Sequence, residues 1–200
     1  VCPGCLLEKR LVSLEHAKGG PDAGRARLRD CIVCNQKGRS FTDMLIAVAH
    51  ALEGGDRSRA PALREVVAQA VLADPERYSE AVLGKPPVEY AAWIRNKENW
   101  GGGIELAVLA EHYKTELAAF DCQSLRVDTF GQGCGYAQRV LLIYDGIHYD
   151  LLVRTPFEGA PAEFELSVFE AWDERAMAEG RALAKRAQQA GKYTDTASFT

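Results

Sequence analysis

The chain has 200 residues, 47% of them hydrophobic, enough for one domain with a sizeable core. A formal net charge of −4 and a pI near 5.6 argue against nucleic acid as the main partner. No apolar run approaches the length of a membrane span and no charged-then-apolar leader opens the chain, so a soluble protein without membrane partners is expected.

Residues 1–40 hold four of the six cysteines and a Gly19-Gly20-Pro21 break, with little periodicity. Cys2-Pro3-Gly4-Cys5 and Cys31-Ile32-Val33-Cys34 have the paired spacing of a Cys₄ zinc ribbon, in which each pair presents two thiolates to one tetrahedral ion. Two readings stand: a structural zinc on Cys2, Cys5, Cys31 and Cys34, or an irregular extension. Either suits an intracellular, cytoplasmic location better than a secreted disulfide framework.

From Phe41 the pattern firms. Leu45, Val48, Ala49 and Leu52 recur at helical spacing before Gly54-Gly55. Pro61 opens a second helix with Leu63, Val66, Val67, Ala70 and Val71 on one face. Asp74 as N-cap and Pro75 start a third, which runs to Gly84. A short fourth begins at Pro87, and a fifth covers Ile104 to Tyr113 after Gly101-Gly102-Gly103. Strands follow at 116–121, 125–130, 139–144 and 147–153, read as antiparallel. A polar, alanine-rich helix from Asp173 to Ala190 reads as a solvated amphipathic one. Helices followed by strands indicate an α+β domain over residues 41–170, with 171–200 as a C-terminal helix and tail.

The apolar run ending at Tyr144, then Asp145-Gly146 and a second alternating run, is a strong hairpin signal. His148 lies just past the turn, and Asp150, two residues on, shares its face of the strand. A carboxylate beside an imidazole can fix its tautomer and stabilise the imidazolium. A partly buried strand histidine is the structural alternative.

Trp100-Gly101-Gly102-Gly103-Ile104-Glu105-Leu106, Tyr144-Asp145-Gly146-Ile147-His148-Tyr149-Asp150 and Pro156-Phe157-Glu158-Gly159-Ala160, in that order, resemble the ovarian-tumour (OTU) family of deubiquitinating cysteine peptidases. Asp74-Pro75-Glu76-Arg77-Tyr78, Leu83-Gly84-Lys85 and Tyr193-Thr194-Asp195-Thr196 add to the likeness, which runs from about Ala47 to Thr200. The subgroup it looks most like is the ubiquitin thioesterases that work with an AAA-type segregase in endoplasmic-reticulum-associated degradation. The resemblance implies a papain-like α/β/α sandwich. It also implies thiol-dependent hydrolysis of isopeptide bonds to ubiquitin, no cofactor for catalysis, and ubiquitin or polyubiquitin conjugates and the segregase as partners. His148 then matches the general base and Asp150 the acid that orients it. Trp100, Gly101 and Gly102 would line a narrow channel for a substrate tail ending in Gly-Gly, where side chains would block close approach.

The chain departs from the family pattern at the nucleophile. The family delivers it in an Asp-x-x-Cys-Leu-Phe segment at a helix start, and Ala47-Val48 sets the register here. Ser40 then fills the Asp slot and Asp43 the Cys slot. A helix N-terminus and an imidazole activate a thiolate, and a carboxylate cannot replace it in acyl transfer. Ser40-Phe41-Thr42-Asp43 also reads as a capping box, a structural role. An Asp43 anion facing His148 would pair with it and remove a neutral base as well. A catalytically dead OTU domain that binds ubiquitin is therefore the second reading of function.

Overall fold

The computed structural model describes residues 27–30, 41–54, 57–99, 101–157 and 162–194. In chain order its elements are β1 (Arg27–Asp30), α1 (Phe41–Leu52), α2 (Ala60–Ala73), α3 (Glu80–Leu83), α4 (Pro87–Arg95), α5 (Gly103–Tyr113), β2 (Thr115–Asp121), β3 (Val127–Phe130), β4 (Gln138–Tyr144), β5 (Tyr149–Thr155), β6 (Val168–Glu170) and α6 (Glu174–Gln189).

The strands form one mixed sheet in the order β1-β5-β4-β2-β3. β4 is its axis. Along one side it pairs in parallel with β2, from Thr115↔Gln138 to Asp121↔Tyr144. Its other side is shared: β6 takes Gln138 to Val140, and β5 takes Leu141 to Tyr144, both antiparallel. Leu117, Ala118, Ala119 and Phe120 of β2 are all buried, as expected of a strand covered on both faces. On one face Leu117, Val140, Leu142, Leu151 and Val153 meet Met44, Leu45 and Val48 of α1 and Leu106 and Leu109 of α5. On the other, Ala118, Phe120, Leu141, Ile143 and Leu152 meet Met177, Leu183, Ala184 and Ala187 of α6. The result is the expected α/β/α sandwich. Burying a side chain such as Leu45 is worth about 2 kcal/mol, whereas helix propensities differ by tenths, so packing decides where α1 lies. A third cluster, with Val67, Val71, Tyr78, Leu83, Tyr90, Ile94 and Val108, ties α2 to α5.

Several expectations need correction. The central pair β2–β4 is parallel. Residues 27–30 add a strand that the sequence did not announce, β1, which pairs antiparallel with β5 from Arg27↔Thr155 to Asp30↔Leu152. The third helix is broken. Asp74 caps a single turn, its Oδ1 accepting the Arg77 amide at 3.0 Å, and Ser79 is extended before α3 begins. β6 carries no signal in the sequence long enough to separate it from loop. Finally, α6 is the third layer of the sandwich, so a boundary at residue 170 falls inside the folded unit.

Candidate active site

The β4–β5 hairpin closes differently from the two-residue Asp-Gly turn expected. Its last pair is Tyr144↔Tyr149, which leaves a loop of Asp145, Gly146, Ile147 and His148. The Asp145 amide donates to the His148 carbonyl at 3.1 Å. Asp145 Oδ1 in turn accepts the amides of Ile147 at 2.9 Å and His148 at 2.7 Å. An aspartate bonding backbone two and three residues on makes its own turn and lengthens the loop. Gly146 takes φ +102°, which L side chains rarely adopt. The Tyr144 hydroxyl donates to the Gly146 carbonyl at 2.5 Å, and its ring stacks on Tyr149 with centroids 4.4 Å apart.

His148 thus ends the turn, with Asp150 at the second position of β5. Both are buried, at 6% and 4% exposure, and neither is without a polar partner. Asp150 pairs across the strands with Ile143, which packs on the α6 side; strand alternation gives Asp150 that same face. Tyr149, between them, packs on the α1 side.

A second feature lies at the same end of the sheet. Lys114 alone, at φ +52°, turns α5 into β2, so α5 runs back along β2 and begins where β2 and β4 finish. Gly101 packs against α1 there: a β-carbon on it would lie 3.0 Å from Met44 Cε and 3.1 Å from Glu105 Cγ. Met44, next to Asp43 in the first turns of α1, is buried. Gly102, by contrast, faces open space. Glu105 fixes this loop from below. Its Oε2 accepts the Gly102 amide at 2.5 Å, the glutamate half of a capping box, and its Oε1 accepts the Tyr90 hydroxyl at 2.5 Å. Arg64, also buried, donates to the carbonyls of Ile94 at 2.7 Å and Asn96 at 3.1 Å, holding the approach to the loop. Burial pushes the Glu105 carboxyl above the usual carboxylate range, against the pull of the Tyr90 and Gly102 hydrogen bonds and the Arg64 charge. Burial, then Tyr144, Asp128, Asp121 and Glu105, raise the Tyr149 phenol, so the hairpin and the start of α5 share one electrostatic environment.

The structure therefore brings His148, Asp150, Gly101, Gly102 and the start of α1 to one end of the sandwich. Asp43 is in the first turn of α1, but the expectation that its carboxylate faces the imidazole concerns a side chain outside the described part. Trp100, Ser40 and the proposed zinc ligands Cys2, Cys5, Cys31 and Cys34 also lie outside the described residues. Among the described residues no three His, Cys, Asp or Glu side chains group to hold a metal. Cys122 is fully buried on the α6 side of the sheet. Cys134 is exposed and neighbours Tyr136, which also feels Glu111 and Arg77, so it sits by the far end of α5. Cys134 is therefore remote from His148, whereas Cys122 follows β2 at the His148 end of the sheet, its amide donating to the Tyr144 carbonyl at 2.9 Å.

Three residues escape a reading of the sequence. The Asp-x-Ile-His spacing permitted Asp145 to cap its own turn, and Gly-Gly-x-Glu allowed Glu105 to cap α5. The packing of Thr194 against the hairpin has no local signal.

No protein-family model matches the chain. It is 48% identical over 149 residues to "OVARIAN TUMOR DOMAIN-containing deubiquitinating enzyme 2" of Arabidopsis thaliana, covering 72% of each. It is 44% identical over 154 residues to "Ubiquitin thioesterase OTU1" of Dictyostelium discoideum, covering 77% of this chain and 47% of that one. The human protein of the same name is 41% identical over 160 residues, covering 78% and 45%. The chain thus spans nearly three quarters of the plant relative and about half the length of the two ubiquitin thioesterases. A solved OTU domain in complex with ubiquitin superimposes with a TM-score of 0.70 at 25% identity, covering 84% of this chain and 90% of that one. The OTU domain of OTUD1, at 14% identity and a TM-score of 0.52 over 74% and 93%, shares the fold alone.

Proposed function

Because the chain belongs to the ovarian tumour (OTU) domain family of deubiquitinating enzymes, we propose that its site is built for thiol-dependent hydrolysis of isopeptide bonds to ubiquitin. In that chemistry a thiolate at the start of α1 attacks the carbonyl of ubiquitin's C-terminal glycine. His148 first accepts the proton and then delivers it to the leaving amine. Asp150 orients the imidazole, and backbone N–H groups near the start of α1 stabilise the oxyanion. Gly101 and Gly102 form one wall of the slot for the Gly-Gly tail, to which the family resemblance adds Trp100. The observation that carries this reading is the convergence of the buried His148 turn, the Gly101-Gly102 loop and the α1 start at one end of the sheet.

Asp43 in the nucleophile slot favours a second reading for the chain as it stands: it holds ubiquitin and barely hydrolyses its conjugates. One experiment separates the two. Ser40→Asp, Asp43→Cys, Met44→Leu and Leu45→Phe together should restore reaction with a ubiquitin electrophile probe, while the unaltered chain stays unlabelled. Robust labelling of the unaltered chain would place the nucleophile elsewhere, and mapping the modified cysteine would identify it.

The likeness to ubiquitin thioesterases also supports action in the cytosol on polyubiquitin conjugates, beside an AAA-type segregase in endoplasmic-reticulum-associated degradation. No described helix is long and apolar enough to cross a membrane. The paired spacing of Cys2, Cys5, Cys31 and Cys34 supports one structural zinc, with Zn–S bonds of about 2.3 Å; purified protein without zinc by elemental analysis would end that idea.

A further inference from the structure

α6 ends in a Schellman motif. The Gly191 amide donates to the Gln188 carbonyl at 2.9 Å and the Lys192 amide to the Ala187 carbonyl at 2.9 Å, with Gly191 at φ +62°. This cap turns the chain off the helix. Lys192 is nearly buried, and two residues later the Thr194 amide donates to the Asp145 carbonyl at 2.7 Å. The fit is close: a β-carbon on Gly146 would run into the Thr194 carbonyl oxygen. The C-terminal segment therefore lies as a strap on the turn that carries His148.

Asp145 is the link between strap and histidine. Its carbonyl takes the strap's amide, while its carboxylate and its own amide hold both backbone polar groups of His148, the N–H at 2.7 Å and the C=O at 3.1 Å. Asp145 itself is 4% exposed, so its remaining polar atoms have no bulk water to fall back on. The backbone of His148 is thus fixed from residues 145 and 194 without use of its imidazole.

We propose that Asp145 and the Lys192–Thr194 strap are positioning groups for His148, setting where its imidazole stands at the head of β5. The proposal rests on the reading of His148 as the general base. A misplacement of about 1 Å at such a group can cost 10²-fold in rate, so a clamp on its backbone matters even though it touches no substrate.

The test uses NMR of the full chain as it is, without turnover, so that failure of the ubiquitin probe to label the restored chain remains a separate result. Asp145→Ala should speed exchange of the His148 amide at least about tenfold and shift the imidazole resonances, with core amides such as Leu117 unmoved. Asp145→Asn keeps an acceptor at the same place and should return both signals towards the unaltered chain. Thr194→Pro removes the strap's donor and should move the imidazole resonances in the same direction as Asp145→Ala; it carries the test if Asp145→Ala does not fold. Imidazole resonances unmoved by loss of the Asp145 acceptor or the Thr194 donor, or moved by Asp145→Ala and not recovered with Asn, would overturn the proposal.

Discussion

The Tyr90 hydroxyl and the Gly102 amide converge on one buried carboxylate, that of Glu105, each at 2.5 Å. Both oxygens of Glu105 thus act as acceptors, one for the glycine loop itself and one for α4. Removing the acceptor strands the buried Tyr90 hydroxyl and the half-buried Gly102 amide. Glu105→Ala should cost about 3 kcal/mol in denaturant unfolding, and Tyr90→Phe, which leaves one carboxylate oxygen without its donor but keeps the Gly102 bond, about 1–2 kcal/mol. Equal losses from the two variants would show that the carboxylate does not organise the loop.

Adjacent glycines should separate folding from binding. Gly101→Ala places a methyl 3.0 Å from Met44 Cε and 3.2 Å from Glu105 Oε2, so it should destabilise by about 1–3 kcal/mol through overpacking. Gly102→Ala points into open space and should change stability by less than about 0.5 kcal/mol. If that space is the slot for the ubiquitin tail, Gly102→Ala should weaken binding of ubiquitin about tenfold by titration, whereas unchanged affinity would move the slot elsewhere.

Loss of the base should be visible once a thiol is present. In the chain carrying the four nucleophile-segment substitutions, His148→Ala should lower turnover of a fluorogenic ubiquitin substrate by about 10²–10⁴-fold. Asp150→Ala should lower it less, with KM nearly unchanged, because its effect passes through the imidazole. Full activity without His148 would remove it from the mechanism.

Two carboxylates should shape the acid limb of stability in opposite senses. Hydrogen bonds from Arg59 and Tyr113 hold Glu53 below the usual carboxylate range. The stability it gives is present above its unfolded-state pKa and is lost as pH falls through the folded one. Arg59 is 48% exposed, so this contribution stays under about 1 kcal/mol at neutral pH. Glu105, raised by burial, does the reverse: its protonated form is favoured in the fold, and stability falls as pH rises from the unfolded to the folded pKa. Unfolding free energies of Glu53→Gln and Glu105→Gln, each compared with the unaltered chain across pH 3–7 (roughly the range in which shifted carboxyls titrate), should give differences of opposite slope.

The fit of α6 on the sheet can be tested at one position. An alanine is worth about 1 kcal/mol over glycine in a helix interior, so Gly180→Ala would stabilise a solvated helix. Here its β-carbon would overlap the ring of Phe120, a fully buried side chain of β2. Overpacking should win and lower stability by about 1–3 kcal/mol in thermal or chemical unfolding.

Much of this architecture was legible where the signal is local. Leu45, Val48 and Leu52 marked α1 by their spacing, and Asp145-Gly146 marked the hairpin that carries His148. What escaped depends on partners distant in sequence. The parallel pairing of β2 with β4 follows from the path of the chain through β3, which no residue of either strand announces. The stripe that α6 buries is made largely of Ala176, Gly180, Ala184 and Ala187, small residues that read as polar-helix filler until Phe120 is set against them. Glu105 in an apolar helix suggests a solvated carboxylate, and its burial is made tolerable by the Tyr90 hydroxyl, fifteen residues away, together with the Gly102 amide and the Arg64 charge. At the site, His148 and Asp150 stood out by chemistry, while the groups that hold them in place did not.

The strand order also bears on how the molecule behaves in company. Among the described residues its outermost strands, β1 and β3, have four residues each, against seven for β2, β4 and β5. Four residues offer about 13 Å of unpaired backbone, too little for another chain to grip firmly. On β3 the carboxylate of Asp128 is exposed and bound to Arg126 at 2.8 Å, which places charge where an incoming strand would have to lie. The long apolar strands that would seed aggregation are kept inside, behind borders that are short and, at β3, charged.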